Sequence, residues 1–263
     1  MSVAAGRVEI VICSDAAALA ADAADRIVAA AHTAIAQRGR FTLVLSGGST
    51  PERTYRLLAQ NPRRQQIDWT HTWLFFGDER CVPHDDPRSN YHLAAESLLK
   101  PAQIEATHVL SLPTGFGSPA QTASAYESTL RKFFNGSSSR SADGVPQFDL
   151  ILLGLGDDGH TASLFPGKPT LDEKQAWVTH SPPGVLPPPV DRVTFTFPVI
   201  NAAQQVMFLV SGAGKASIVQ EVLEGPPDVH KHPACGVQPI PGKLTWLLDE
   251  PAAKLLTPKP IEH

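Results

Sequence analysis

The stretch Phe148–Pro166, FDLILLGLGDDGHTASLFP, decides the fold class of this sequence. Its first part, Phe148–Leu153, is a mostly apolar run whose length is typical of a strand buried in a parallel sheet. Three glycines follow at once, and Pro166 ends any helix that begins in this stretch. A buried strand that runs directly into a glycine-rich turn is typical of α/β proteins.

Similar apolar runs recur along the chain and alternate with helical patterns. The predicted strands are Val8–Ile12, Phe41–Leu45, Thr72–Phe76, Phe148–Leu153, Val193–Phe197 and Val206–Val210, and the predicted helices are Ala16–Gln37, Pro51–Gln60, Ser89–Leu99, Ser118–Phe134 and Gly214–Leu223. We therefore predict a single α/β domain over residues 1–263, with a mainly parallel sheet covered by helices on both faces. Ligands bind beyond the carboxyl ends of the strands in such sheets, so functional residues should follow the strands directly.

Composition favours a small molecule as the partner. The chain of 263 residues has a formal net charge of -4 and no long basic run, which argues against nucleic acid and anionic membranes. Its three cysteines lie apart without CxxC spacing, as expected in a reducing compartment. No apolar run approaches the ~20 residues that span a bilayer. We predict a cytoplasmic protein that is a monomer or a weak homo-oligomer.

The strand Phe41–Leu45 runs into a glycine turn that favours an anion. The turn consists of Ser46, Gly47, Gly48, Ser49 and Thr50, and Pro51 suits the first position of the following helix. Exposed backbone N–H groups and hydroxyls at a helix start bind phosphate well. An ordinary capped turn explains this motif equally well when it is taken alone. No Gly-Lys-Ser/Thr follows, which disfavours a nucleoside triphosphate.

Charged residues follow the strand Thr72–Phe76. Asp78, Glu79 and Arg80 come directly after Gly77, and three adjacent charges there are hard to explain by packing. Arg80 is suited to bidentate binding of phosphate or carboxylate, and the acids to orienting it or binding sugar hydroxyls. A solvated turn with a local ion pair is the alternative. Asn90 either adds a polar contact or caps a helix.

The turn after Phe148–Leu153 presents a histidine. Its GxGxxG spacing is a false match to a dinucleotide fingerprint, because Asp157 and Asp158 occupy the loop that would accept a pyrophosphate. His160 lies between glycines and a short polar stretch, where it is exposed to a cleft, and Asp158 is near enough to orient its ring. Most single histidines are structural, but this position favours an acid/base.

Two further cations lie on the same predicted side of the sheet. Arg192 precedes the strand Val193–Phe197, and Lys215 follows the strand Val206–Val210. Each alone is typical of a surface charge, but together with Arg80 they are placed to surround one phosphate.

A metal site is disfavoured. His230, His232 and Cys235 have ligand-like spacing, but a fourth ligand is missing and prolines make the segment an irregular loop. We predict neither a metal nor another cofactor.

Together these residues resemble the 6-phosphogluconolactonases, which sit in a wider set that includes glucosamine-6-phosphate deaminase. The resemblance rests on LVLSGGSTP (Leu43–Pro51), FFGDERCVP (Phe75–Pro83), SNY (Ser89–Tyr91), LGLGDDGHTASLFPG (Leu153–Gly167), DRVTFTFPVIN (Asp191–Asn201), SGAGKA (Ser211–Ala216) and GKLTWLLDE (Gly242–Glu250). It implies a Rossmann-like sheet of the glucosamine-6-phosphate deaminase/ribose-5-phosphate isomerase type, without metal or nucleotide cofactor.

The resemblance also implies hydrolysis of 6-phospho-D-glucono-1,5-lactone to 6-phospho-D-gluconate, in the oxidative pentose phosphate pathway. The lactonase branch is favoured because the run after His160 lacks the acidic residue expected of a deaminase. Departures are small: Asp157 stands where proline is common, and Phe195 and Phe197 replace leucines.

The expected mechanism assigns the phosphate to the 46–50 turn, Arg80, Arg192 and Lys215, and the proton transfers to His160. A backbone N–H of the Gly156–Gly159 turn is a candidate for the oxyanion. Two alternatives are an isomerase or deaminase with Asp78 as base, and a non-catalytic phosphosugar sensor.

Overall fold

The computed structural model describes residues 7–115, 117–135, 141, 144–183 and 189–257. The strands are β1 (Arg7–Cys13), β2 (Phe41–Leu45), β3 (Thr72–Phe76), β4 (Asp78–Arg80), β5 (Val109–Leu110), β6 (Leu150–Leu153), β7 (Val178–Ser181), β8 (Arg192–Phe195), β9 (Gln205–Val210) and β10 (Lys243–Asp249). Seven of them form one sheet in the order β1-β10-β9-β6-β2-β3-β5. Every pairing in that sheet is parallel, which confirms the predicted fold class.

Helices connect the strands of the parallel sheet. They are α1 (Ala16–Arg38), α2 (Ser49–Leu58), α3 (Arg63–Gln66), α4 (Asn90–Ala94), α5 (Lys100–Ala102), α6 (Pro119–Phe133), α7 (Phe197–Ala202), α8 (Ala216–Glu224) and α9 (Glu250–Ala253). The predicted helix Ser89–Leu99 is α4 followed by a π-helical turn, Ala95–Leu99. Among the described residues, no helix has the length and apolar character needed to cross a membrane.

The core explains why the sequence forms these elements. All five residues of β2 and all four of β6 are buried, as expected for central strands covered on both sides. The long helix α1 begins at Asp15, whose side chain accepts hydrogen bonds from the N–H groups of Ala17 and Ala18. It ends at Gly39, which adopts the left-handed conformation with φ 72°.

Two buried tyrosines hydrogen-bond to the backbone at the carboxyl ends of the neighbouring strands β2 and β3. The Ser46 N–H donates to the Tyr55 hydroxyl over 2.9 Å, and that hydroxyl donates to the Ser46 carbonyl over 2.8 Å. Phe76 makes the same pair of bonds with Tyr126, over 3.1 and 3.2 Å. Burial raises the pKa of both phenols, so the hydroxyls stay protonated at neutral pH.

A second, antiparallel sheet corrects part of the prediction. Its order is β4-β8-β7, with Asp78 opposite Thr194 and Arg80 opposite Arg192. The sequence predicted a strand at Val193–Phe197 in the mainly parallel sheet, whereas this strand spans Arg192–Phe195 and pairs outside it. The structure also shows β10, which the sequence analysis did not predict as a strand.

Candidate active site

A cavity of about 320 Å³ lies beyond the carboxyl ends of β2, β6 and β9, with β4 and β8 on its other side. It is lined by Ser46, Gly47, Gly48, Ser49, Thr50, Pro51, Asp78, Arg80, Asn90, Gly154, Leu155, Gly156, Asp157, His160, Ala162, Arg192, Leu209, Val210, Ser211 and Lys215. The structure therefore brings the predicted site residues together, apart from Glu79 and Asp158, which do not line the cavity. Another cavity of about 330 Å³ is mainly apolar and contains none of these residues.

Asp158 contacts the Nδ1 side of the His160 imidazole and does not itself line the cavity. The Asp158 Oδ1 atom lies 2.5 Å from His160 Nδ1 and also accepts the His160 backbone N–H over 3.1 Å. This arrangement places a proton on Nδ1, and none of the described residues hydrogen-bonds to Nε2. Burial by itself raises the pKa of Asp158, but the hydrogen bonds and charge of His160 outweigh burial and keep the pKa below its usual value.

The segment Gly154–His160, here called the catalytic turn, depends on glycines at two positions. A Cβ atom at Gly156 would lie 2.0 Å from His160 Nδ1, so only glycine leaves room for the ring. Gly159 has a φ of 81°, in the left-handed region. The Gly156 N–H donates to the His160 carbonyl and the Gly159 N–H to the Gly156 carbonyl, over 2.8 and 3.0 Å. These two N–H groups are therefore already engaged, which removes them as candidates for the oxyanion.

The 46–50 turn meets Asn90 at close range. A Cβ atom at Gly47 would lie 1.9 Å from Asn90 Oδ1, and Gly48 has a φ of 110°, so both positions require glycine. The helix α2 begins at Ser49, two residues before the predicted start at Pro51. The turn thus brings the amino end of a ten-residue helix to the cavity, where a helix favours negative charge.

Arg80 and Arg192, here called the arginine pair, lie side by side on β4 and β8. Arg80 donates to the Arg88 carbonyl over 2.9 Å and to Asn90 Oδ1 over 2.6 Å. The Nε atoms of both arginines are buried and have no hydrogen-bond partner among the described residues. Burial lowers the pKa of Arg192, Asp78 opposes this shift, and the charge of Arg80 adds to it. Two adjacent cations with unused donors favour an anionic ligand.

Asp78 is held by hydrogen bonds from two sides. Its Oδ2 accepts the Ser163 hydroxyl over 2.6 Å, and its Oδ1 accepts the Asn90 side-chain amide over 3.2 Å. The sequence left open whether Asn90 is a polar contact or a helix cap. The structure places Asn90 in the cavity wall and gives the cap to Ser89, whose side chain accepts the His92 N–H. Asp78 and Asn90 are thus fixed relative to the arginine pair.

Lys215 reaches the cavity from the turn after β9. Its Nζ donates to the Leu155 carbonyl over 2.7 Å and to Asp157 Oδ1. Asp249 fixes this turn by accepting the Ser211 hydroxyl over 2.6 Å and the Gly212 N–H over 2.9 Å. The cavity therefore contains three cationic side chains from three different elements, together with His160.

Comparison with known proteins places this arrangement in a family. A family model described as glucosamine-6-phosphate isomerases/6-phosphogluconolactonase matches residues 14–246. The chain belongs to this family. A 6-phosphogluconolactonase of Synechocystis sp. is 43% identical over 225 residues, which are 86% of this chain and 88% of that protein. Another, of Nostoc sp., is 41% identical over 244 residues, which are 92% of this chain and 96% of that protein.

The solved structure of 6-phosphogluconolactonase from Trypanosoma cruzi has the same fold. It matches with a TM-score of 0.84 and 29% identity, and the match covers 98% of this chain and 99% of that one. These comparisons confirm the predicted family, fold class and enzyme class. The roles of individual residues stay predictions.

In this member of the glucosamine-6-phosphate isomerase/6-phosphogluconolactonase family, Glu79 is buried behind the cavity wall. It is 1% exposed and accepts hydrogen bonds from the Arg80, Asn90 and Tyr91 N–H groups and from the Ser89 hydroxyl. Burial raises its pKa, although these hydrogen bonds oppose the shift. Side chains alternate along a strand, so Asp78 and Arg80 face the cavity while Glu79 ties β4 to α4. The structure therefore does not support a direct substrate contact for Glu79.

In this family member, the sequence analysis did not single out Ser211, which lines the cavity, or Phe165, which is buried beside it. Ser211 directly follows β9 and lines the cavity, a position that the strand-end rule already indicates. Phe165 packs between the two sides of the site: its ring centroid lies 4.6 Å from that of His160 and 5.6 Å from Arg192 Cζ. No local sequence signal distinguishes this phenylalanine from an ordinary core residue.

The three residues considered as metal ligands point to different partners. His232 Nε2 lies 3.3 Å from Glu221 Oε2, and His230 Nε2 lies 3.5 Å from Asp172 Oδ1. The Cys235 thiol donates to the Val222 carbonyl over 3.7 Å. The part of the chain that the structure describes contains no group of three or more His, Cys, Asp or Glu side chains arranged to hold a metal ion.

Proposed function

We propose that this chain hydrolyses 6-phospho-D-glucono-1,5-lactone to 6-phospho-D-gluconate, with His160 as the acid/base. The observation that carries the proposal is one cavity that contains three cations and a histidine whose Nδ1 is held by a carboxylate. The Synechocystis and Nostoc relatives are 6-phosphogluconolactonases, which supports this substrate. The cytoplasmic location and the monomeric or weakly oligomeric state stay predictions.

The substrate phosphate is assigned to the arginine pair, Lys215 and the 46–50 turn. Both arginines line the cavity and have unused Nε donors, which suits bidentate binding of a dianion, and the amino end of α2 adds backbone N–H groups. Fixing the phosphate holds the remote lactone carbon near His160, so binding energy is converted into orientation. Asp78 and Asn90, held rigidly beside these groups, are placed to contact sugar hydroxyls.

The chemical step uses both nitrogens of His160. Nε2 accepts a proton from water as the water oxygen attacks C1, while Asp158 stabilises the imidazolium that forms through Nδ1. The tetrahedral intermediate then collapses, the bond from C1 to the ring oxygen breaks, and the proton on Nε2 passes to that oxygen. Acid/base help of this kind is typically worth about 10²–10⁴-fold.

The alternative with Asp78 as the base of an isomerase or deaminase fits this geometry less well. Both carboxylate oxygens of Asp78 already accept hydrogen bonds, and the residue is 6% exposed. Each oxygen keeps a lone pair for a sugar hydroxyl, but the side chain of His160 is more exposed, at 18%, and its Nε2 has no partner among the described residues, so His160 is the better placed base. Release of ammonia from glucosamine-6-phosphate would nevertheless decide for that alternative.

The proposal is tested by making the lactone in place from glucose-6-phosphate with a dehydrogenase and following its disappearance above the spontaneous rate. We expect the unaltered protein to accelerate hydrolysis and His160→Asn to lose about 10²–10⁴-fold in kcat, with KM retained. His108→Asn is a matched control. His108 is also half-buried, but it bonds to the carbonyl of Thr72 at the start of β3, which is the end of the strand away from the cavity. Equal kcat in His160→Asn and the control would remove His160 from the mechanism.

A further inference from the structure

Lys215 has its own counter-ion inside the cavity. Asp157 Oδ1 accepts a hydrogen bond from Lys215 Nζ, and both residues line the cavity. The side chain of Asp157 is 69% exposed, while that of Lys215 is 27% exposed. The carboxylate therefore occupies a position on the ammonium group that an anionic ligand is also suited to occupy.

The two contacts of Lys215 Nζ differ in kind. The Leu155 carbonyl belongs to the backbone of the catalytic turn, and Leu155 is 6% exposed, so this acceptor is fixed. Asp157 offers an exposed side chain on the solvent side of the same turn. The carbonyl therefore sets the position of Nζ, whereas the carboxylate mainly sets its net charge. Loss of the carboxylate leaves the ammonium in place and raises its attraction for anions.

We propose that Asp157 is a displaceable counter-ion of Lys215, which competes with the substrate phosphate and thereby raises KM. The inference rests on the proposed function, in which Lys215 binds that phosphate. A dianion that reaches Lys215 either displaces the carboxylate or binds beside it against its charge. Both routes cost free energy in the bound state and leave the chemistry at His160 unaffected. Exposed ion pairs are weak, so the expected effect on KM is small.

The test removes the negative charge of Asp157 and keeps the shape of its side chain. In Asp157→Asn we expect KM for the lactone and the inhibition constant of inorganic phosphate to fall by about 2–5-fold, with kcat unchanged. The difference should shrink in about 0.5 M salt, where exposed charges are screened. Asp172→Asn is the matched control: its side chain is also 69% exposed and loses one negative charge, but it lies outside the cavity.

The same substitution in a Lys215→Met background separates the possible outcomes. If Asp157 acts through Lys215, Asp157→Asn has no further effect there. An equal fall of KM in that background, or in Asp172→Asn, would overturn the inference in favour of a general charge effect. An unchanged or higher KM in Asp157→Asn would also overturn it and make Asp157 an orienting group for Lys215.

Other results would overturn the proposed function, and they are distinct from those that overturn the counter-ion proposal alone. An unchanged KM in Lys215→Met would remove Lys215 from phosphate binding, and the counter-ion proposal would fall with it. Absence of lactone hydrolysis by the unaltered protein would overturn the activity itself.

Discussion

The two sides of the cavity hold their functional groups by different means. The catalytic turn follows β6 of the parallel sheet and places His160 through backbone geometry that requires glycine at 156 and 159. The arginine pair is placed by strand register, because Arg80 and Arg192 are opposite each other on β4 and β8. The catalytic turn therefore depends on glycines, which leave room for the His160 ring, and the arginine pair depends on the planar geometry of its two guanidinium groups. We expect changes on the first side to lower kcat and changes on the second to raise KM.

The largest expected effect on this comparison comes from Asp158→Asn. The amide still fits but no longer fixes the Nδ1 proton or stabilises an imidazolium, so kcat should fall by about 10²–10⁴-fold. KM should change little, because the arginine pair is untouched. Steady-state kinetics of lactone hydrolysis measure both constants. A raised KM with normal kcat would show that Asp158 acts on binding instead.

Gly156→Ala tests the catalytic turn without removing any functional group. The new Cβ atom would lie 2.0 Å from His160 Nδ1, so the ring has to move. Misplacement of a catalytic group by about 1 Å costs on the order of 100-fold in rate, and we expect that loss in kcat. Gly214→Ala is the control, because a Cβ atom there meets no heavy atom within 4 Å. Similar rates in the two variants would mean that the turn adapts.

Arg192→Lys tests the arginine pair with its charge retained. Lysine cannot provide the planar fork, and charge-assisted hydrogen bonds are worth about 1.5–3 kcal/mol, so KM should rise by roughly 10-fold or more. The kcat value should stay within about twofold of that of the unaltered protein. Arg56→Lys, at a position 66% exposed on α2, is the control. Loss of kcat without a change in KM would contradict the division between the two sides.

The smallest expected effect concerns pH and involves the pair of Asp158 and His160 in the catalytic turn. Burial alone raises the pKa of Asp158, but its bonds to His160 hold the pKa below the usual value, so the unfolded chain binds more protons. The resulting stability is present above the unfolded pKa of about 3.9 and is lost as pH falls through the lower folded pKa.

Urea unfolding measures this contribution. Between about pH 5 and about pH 3, the free energy of unfolding should decrease less in Asp158→Asn than in the unaltered protein. Parallel pH profiles for the two proteins would show that the pair contributes nothing to stability. Arg192→Lys should keep the profile of the unaltered protein, because neither side chain titrates in this range.

Five of the seven strands of the parallel sheet were predictable, because they are short apolar runs that end in turn residues; β5 and β10 were not predicted. The antiparallel sheet was not predictable, because β4 has three residues and all of them are charged. Sequence reasoning treated Asp78, Glu79 and Arg80 as one polar strand end. Recognition of a strand there would have assigned Glu79 to the opposite face by the alternation of side chains.

Most of the candidate site was predictable for one physical reason: polar residues after buried strands meet at one edge of a parallel sheet. This rule found His160, Lys215 and the 46–50 turn. Arg192 was found although it lies at the start of a strand in the other sheet. The pairing of Lys215 with Asp157 was not predictable, because the two residues are 58 positions apart and meet only in the fold.

The phenols of Tyr55 and Tyr126 bear on how this cavity meets a ligand. A neighbouring strand normally bonds to both the N–H and the carbonyl of a strand residue. Here one phenol hydroxyl bonds to both groups of a residue at the carboxyl end of β2 or β3. Moving either strand end would leave buried polar groups without partners, which is costly. The carboxyl ends of β2 and β3 are therefore ordered already when the chain folds, and the entropy cost of ordering them belongs to folding. A ligand that arrives at the 46–50 turn finds it already ordered, so its affinity is not reduced by ordering that loop.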